Sequence, residues 1–198
     1  MDKDSGFRSY LSIKEGSLPG RSGSSSSSDQ GVDLIASQEG YCYVRVESDS
    51  SSGGKFTITA YDEQTFPAKL TIGQSLADQE LKWQGDCLWY QVSVQAGQHI
   101  FVLLDKDSSF GSYLNIKEGI LPERPSSSAS SDQGVDLIAS QGGYCYVRVE
   151  SGSSSGGKFT ITVHDEQTFP AKLTIGQSLA NQELKWSGDC LWYQVSVQ

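Results

Sequence analysis

Tyr41-Cys-Tyr-Val-Arg-Val-Glu47 recurs unchanged as Tyr144-Cys-Tyr-Val-Arg-Val-Glu150. In the first copy Cys42, Val44 and Val46 fall on one face, and Tyr41, Tyr43 and Arg45 on the other. This alternation is the period-two signature of a strand with one buried side. Outward from it, Lys55–Ala60 alternates with Phe56, Ile58 and Ala60 inward, and Leu88, Tyr90, Val92 and Val94 form a third inward row against Trp89, Gln91 and Ser93. Shorter strands are expected at Tyr10–Lys14, Val32–Ala36, Leu70–Gln74 and His99–Leu104. Turn chemistry separates them: Glu15-Gly16, Ser51-Ser-Gly-Gly54, Gly85-Asp86 and Gln95-Ala-Gly97. No segment sustains a 3.6-residue period over a helix length, and Gln74–Leu81 is expected to form at most a turn. The expectation is an all-β chain built as an antiparallel, jelly-roll-like β-sandwich.

The repetition extends far beyond one strand. Residues 2–95 align without a gap to residues 105–198, at an offset of 103, with 80 of 94 pairs identical. A period of this length is one small domain rather than a solenoid unit, so tandem sandwiches of about 100 residues are expected. The differences gather in expected loops, such as Gly6/Ser109, Ser22/Pro125 and Asp49/Gly152, while the alternating runs match almost letter for letter. One difference carries chemical weight: Tyr61 is replaced by His164.

Composition narrows the function classes. The net charge is −9 and no basic stripe exists, which argues against nucleic acid. No apolar run approaches the roughly 20 residues of a membrane span. The serine-rich stretches Ser22–Ser28 and Pro125–Ser131 cannot bury apolar area and are expected as mobile loops. Acidic residues directly follow Met1, where a signal peptide would carry basic ones. Two cysteines per copy, Cys42 and Cys87 then Cys145 and Cys190, form no CxxC pair and stand with no histidine cluster, which argues against a zinc site. An even, repeated count points to disulfides and an oxidising, extracellular or cell-surface setting. The alternative is four buried thiols packing as small hydrophobes.

Three stretches together resemble the bacterial pre-peptidase C-terminal (PPC) domain. They are Trp89-Tyr-Gln-Val-Ser-Val-Gln-Ala-Gly97, Gly143-Tyr-Cys-Tyr-Val-Arg-Val149 and Gly157-Lys-Phe-Thr-Ile-Thr-Val163, in the family's order and spacing. The resemblance implies a jelly-roll-like sandwich appended to secreted enzymes and surface proteins. It also implies a phase: residues 1–65 as the last part of one domain, 68–165 as a complete domain, and 170–198 as the opening strands of another. On that phase Cys87 pairs with Cys145, and Cys42 with Cys190 across chains. A permuted phase, with 2–95 and 105–198 each self-contained, pairs Cys42 with Cys87 and Cys145 with Cys190. Two departures stand out. Cys145 and Cys42 replace an inward tyrosine of the family, and Phe110-Gly-Ser-Tyr-Leu-Asn115 stands where the family has an Asp-rich strand.

Candidate chemistry is sparse. The two histidines, His99 and His164, have no histidine counterpart in the other copy, and no Gly-x-Ser-x-Gly elbow accompanies the serines. Asp62-Glu63 and Asp165-Glu166 are expected as solvated connectors. Asp105 and Asp107 open a stretch resembling a calcium loop, but Ile116 occupies its twelfth position, which excludes an EF-hand and leaves only a looser calcium site. Trp89 and Trp192 are candidates for stacking on glycans or for packing against a neighbouring domain. No Asn-x-Ser/Thr sequon occurs, whereas Ser24, Ser25, Ser26, Ser127 and Ser128 could carry O-linked sugars.

The expected function is that of a non-enzymatic extracellular structural repeat protein. Its partner is itself: head-to-tail filaments or surface appendages form by strand complementation between chains. The alternative is an auxiliary carbohydrate- or protein-binding module of a secreted hydrolase.

Overall fold

The computed structural model describes residues 2–3, 9–17, 19, 31–48, 54–106, 110–122, 133–152, 156–176, 178–185 and 190–196. The chain forms two compact units, Met1–Phe66 and Pro67–Gln198. All regular structure among the described residues is β, in fourteen strands. The first unit holds β1 (Asp2–Lys3), β2 (Ser9–Glu15), β3 (Cys42–Ser48) and β4 (Phe56–Thr57). The second begins with β5 (Lys69–Leu70), β6 (Ser75–Leu81), β7 (Cys87–Val94) and β8 (His99–Lys106). It continues through β9 (Ser112–Glu118), β10 (Gly134–Ile138), β11 (Gly143–Ser151), β12 (Gly157–Asp165), β13 (Lys172–Leu173) and β14 (Gln194–Val195). Among the described residues no helix is long and apolar enough to cross a membrane.

In the second unit β5–β12 make a β-sandwich of two four-stranded sheets, ordered β10-β8-β12-β6 and β5-β7-β11-β9. Each successive strand crosses to the opposite sheet, so neither sheet can be assembled from a contiguous piece of chain. The ladders are antiparallel apart from the short β5–β7 pair, where Lys69 lies opposite Gln91 and Leu70 opposite Val92. Alternation delivers the core. Ile100, Val102, Leu104, Phe159, Ile161 and Val163 from one sheet meet Tyr90, Val92, Val94, Leu114, Ile116, Cys145, Val147 and Val149 from the other. Cys145 thus sits where one methyl-bearing side chain would, and the core closes around it with no loss of the period.

The expected turn at Gln74–Leu81 is instead the edge strand β6. A β-bulge shifts its register: Gln79 lies opposite Phe159, but Leu76 lies opposite Ile161. The extra residue is accommodated by Asp78, whose φ is 56°, in the left-handed region that Asp and Asn tolerate best. Asn181, its counterpart, has φ 59°. The Asp/Asn difference between copies therefore falls on a position that admits either residue. Gly156 is required as glycine: its φ is +60°, and a Cβ there would lie 2.0 Å from the Leu81 carbonyl oxygen.

The first unit contains a smaller set of pairings with the same register 103 residues earlier. Ser9 faces Ser48 and Glu15 faces Cys42, as Ser112 faces Ser151 and Glu118 faces Cys145. Asp2 faces Thr57, as Asp105 faces Thr160. The expected strand at Val32–Ala36 is not formed, although its counterpart is β10. The expected Lys55–Ala60 strand is shortened to Phe56–Thr57.

Candidate functional site

The faces left open by incomplete sheets form the most distinctive surface of the described residues. In the sandwich β11 lies between β9 and β7, and β12 lies between β8 and β6. Their counterparts β3 and β4 have only β2 and β1 beside them within the first unit. The consequence is read from identical residues. Val147, Phe159 and Ile161 are 0%, 1% and 0% exposed, whereas Val44, Phe56 and Ile58 are 45%, 44% and 47% exposed. The same apolar row is a sealed core in one place and an open face in the other.

The C-terminal stretch of the second unit has the complementary form. Lys172 faces Gln194 and Leu173 faces Val195 in a parallel pair, reproducing β5–β7. The Tyr193 hydroxyl donates to Gln182 Oε1 at 2.7 Å, as Tyr90 donates to Gln79 Oε1 at 3.0 Å. Leu191 and Val195 are exposed, and Leu191 lines an open groove with Leu184 and Tyr193.

Repeated carboxylate clasps hold the loops around these strands. Glu118, at the end of β9, accepts hydrogen bonds from Ser140 N (3.0 Å), Ser140 Oγ (2.7 Å) and Gln141 N (2.8 Å). Glu15 does the same with Ser37 and Gln38. The Ser140 hydroxyl, followed by the backbone donors, holds Glu118 below the usual carboxylate range. Asp165 and Asp62 each accept from the backbone and hydroxyl of the threonine three residues on, so both expected connectors are closed turns. Sequence reasoning missed the glutamate clasps, although a strand-final Glu and a Ser-Gln pair recur identically in both copies.

The other expected site residues are dispersed. No disulfide joins the four cysteines. Cys87 lies opposite Glu150 and Cys145 opposite Val92, five residues apart along the ladder. That separation is about 17 Å, far beyond the roughly 7 Å between Cα atoms that a bridge can span, which corrects the expected Cys87–Cys145 pairing. Burial pushes the Cys87 thiol up to about 12 and the Cys145 thiol up to about 11. Both are therefore inert packing residues in this fold.

Trp89 is outward-facing, as its parity requires, but the Arg148 guanidinium lies 5.0 Å from its ring centroid and occupies one face. Arg148 in turn pairs with Glu150. Trp192 is half-exposed at the chain's C-terminal stretch. Asp105 lies exposed on β8, and Asp107 lies outside the described residues. Among the described residues no group of three or more His, Cys, Asp or Glu side chains is placed to hold a metal ion. Ser24, Ser25, Ser26, Ser127 and Ser128 also lie outside the described residues.

The two histidines lie on neighbouring strands. His99 Nε2 is 2.8 Å from Asp136 Oδ2, and Nδ1 is 3.7 Å from Glu166. His164 is buried against Phe169 at 6.0 Å between ring centroids, with Nδ1 lacking a hydrogen-bond partner. Burial lowers its pKa, outweighing the upward pull of the Thr168 backbone and Asp165. Tyr61 packs on Phe66 at 6.1 Å in the same way.

No protein-family model and no curated protein sequence matches the chain. Among solved structures it is similar to the pre-peptidase C-terminal domain of collagenase from Bacillus anthracis. That match has 11% identity and a TM-score of 0.38, and covers 48% of this chain and 92% of that one. It is also similar to PliG of Aeromonas hydrophila, a periplasmic lysozyme inhibitor of g-type lysozyme, at 18% identity and TM-score 0.35, covering 50% of this chain and 98% of that one. PliG of Salmonella Typhimurium aligns at 15% identity and TM-score 0.31, covering 50% and 99%.

Proposed function

We propose that this is a non-enzymatic structural repeat protein, acting outside the cell, whose chains join head to tail by completing one another's sandwiches. The observation that carries the reading is the contrast between identical residues: Val44, Phe56 and Ile58 are exposed where Val147, Phe159 and Ile161 are sealed. The strands that seal the latter, β6 and β7, have sequence counterparts in the C-terminal stretch. The occupant of the open face is therefore the C-terminal stretch of a second copy. The resemblance of the three strand motifs to PPC domains supports the extracellular setting.

The sandwich supplies the register of the joint. Val147 faces Tyr90 and Arg148 faces Trp89, so Val44 of one chain would face Tyr193 of the next, and Arg45 would face Trp192. Cys42 and Cys190 would again stand five residues apart, so the joint forms without the cross-chain disulfide expected from the sequence. Val44, Phe56, Ile58, Leu179, Leu184, Leu191 and Val195 are each roughly half exposed. Covering them gains about 1–2 kcal/mol apiece. That sum is of the order of the association cost of about 4–15 kcal/mol, so assembly depends steeply on concentration.

The test is a mixture of a Val44→Cys chain with a Tyr193→Cys chain, oxidised and mapped after proteolysis, alongside sedimentation of the wild type over a dilution series. The expected result is a 44–193 cross-link between chains and a mass that rises with concentration. A strictly monomeric protein, or no 44–193 cross-link in the oxidised mixture, overturns the proposal.

A further inference from the structure

We infer that Gln133 and Gly134, at the start of edge strand β10, form a seat for the Cys190–Trp192 segment, and that this seat holds the opening strand of each following repeat without covering its apolar residues. Two adjacent contacts define it. The Gln133 side-chain oxygen accepts from Cys190 N at 3.0 Å and from Cys190 Sγ at 2.8 Å. One residue on, the Trp192 indole fills the space that a side chain at Gly134 would take: a Cβ there would lie 2.7 Å from Cζ2 and 2.8 Å from Cε2. Contacts below 3.0 Å require displacement, so a side chain at position 134 would push the indole off the strand. Gly134 lies opposite Leu103 in regular antiparallel pairing and has no left-handed φ. Its glycine is thus demanded by the indole rather than by the backbone.

The position of the seat has two physical consequences. β10 is an outer strand of its sheet, and such edges need covering. The docked segment covers the start of this one with the following repeat of the same chain. Leu191 and Val195 stay exposed beside the seat, at 45% and 46%, as does 45% of Trp192 itself. The seat therefore tethers the segment without covering its apolar residues. It operates within one chain and does not require the head-to-tail reading, which it would assist by lowering the entropy of the free strand.

Cys190 itself reports the seat. Peptide-resolved alkylation of the dilute full chain is followed for wild type, Gly134→Ala, Trp192→Ala and the double variant. Exposed Cys42 serves as the internal rate standard, and sealed Cys145 reports that the sandwich is intact. Each single variant is expected to raise the Cys190 rate roughly threefold or more as the segment detaches, with Cys145 unchanged. In the double variant Gly134→Ala should add nothing once the indole is absent. An unchanged Cys190 rate in both single variants, or fully additive effects, overturns the inference. Failure of chains to associate while these rates respond as stated would sink only the assembly reading.

Discussion

Phe56 and Phe159 are the same residue of the same motif, and truncating each to alanine gives opposite outcomes. Phe159 is 1% exposed, belongs to the sandwich core and lies 6.5 Å from the Phe110 ring. Phe159→Ala removes a sealed ring and leaves a cavity, a change that costs about 3–5 kcal/mol. Phe56 is 44% exposed. With an aromatic side chain burying about 200 Å², some 90 Å² of ring remains to be covered on assembly, worth about 2 kcal/mol at 25 cal/mol per Å².

Phe56→Ala should accordingly cost the separated chain about 1 kcal/mol or less, because no closed cavity forms. It should weaken head-to-tail association by about 2 kcal/mol, roughly thirtyfold in Kd. Urea unfolding gives the first quantity and sedimentation equilibrium the second. If Phe56→Ala destabilises the dilute chain as much as Phe159→Ala, the first unit already has a closed core. If it destabilises little and association is also unaffected, the open face is not the joint. Either result refutes the reasoning.

Two further outcomes test the site chemistry. The His164 pKa is lowered by burial, so above about pH 6.5 the imidazole is neutral in both folded and unfolded chains; below that the unfolded chain takes up the proton first and stability falls until the folded pKa is passed. His164→Tyr, which installs the residue of the first copy, should abolish that acid step; an unchanged difference in unfolding free energy between about pH 7 and about pH 5 would reject this. Cys87 and Cys145 should be recovered as thiols in non-reducing peptide maps and should alkylate about a hundredfold more slowly than Cys42 at neutral pH, since burial pushes both well above a free thiol; an 87–145 linked peptide would contradict the observed ladder.

Legibility followed the burial pattern. β7 and β11 carry an apolar residue at every second position, Tyr90-Val92-Val94 and Cys145-Val147-Val149, and these rows announce both the strand and its inner face. β6 does not. Its bulge at Asp78 inserts one residue between Leu76 and Leu81, which places them an odd number apart and scrambles the period. The strand was hidden by the same device that lets it end the sheet. The cysteines misled for a different reason. Their even, repeated count is a property of duplication, and only the ladder reveals that Cys87 and Cys145 occupy opposite ends of paired strands. Gly134 carried no signal at all, because the ring that requires it comes from a segment 58 residues later in the sequence.

The crossing of every successive strand between sheets explains why the open faces arise together. In a meander, cutting the chain removes one edge and leaves the remaining sheet intact. Here β5 and β7 belong to one sheet and β6 and β8 to the other. A fragment without the counterparts of β5–β7 loses neighbours from both layers at once, so both halves of the core open to solvent. That is the state of Val44 on one layer and of Phe56 and Ile58 on the other. A fragment holding only those opening strands is open on the matching faces. On the proposed head-to-tail reading, complementarity between the two ends would be a property of the topology, set by how the strands are dealt between sheets. It requires no feature of the surface beyond the residues that already build the core.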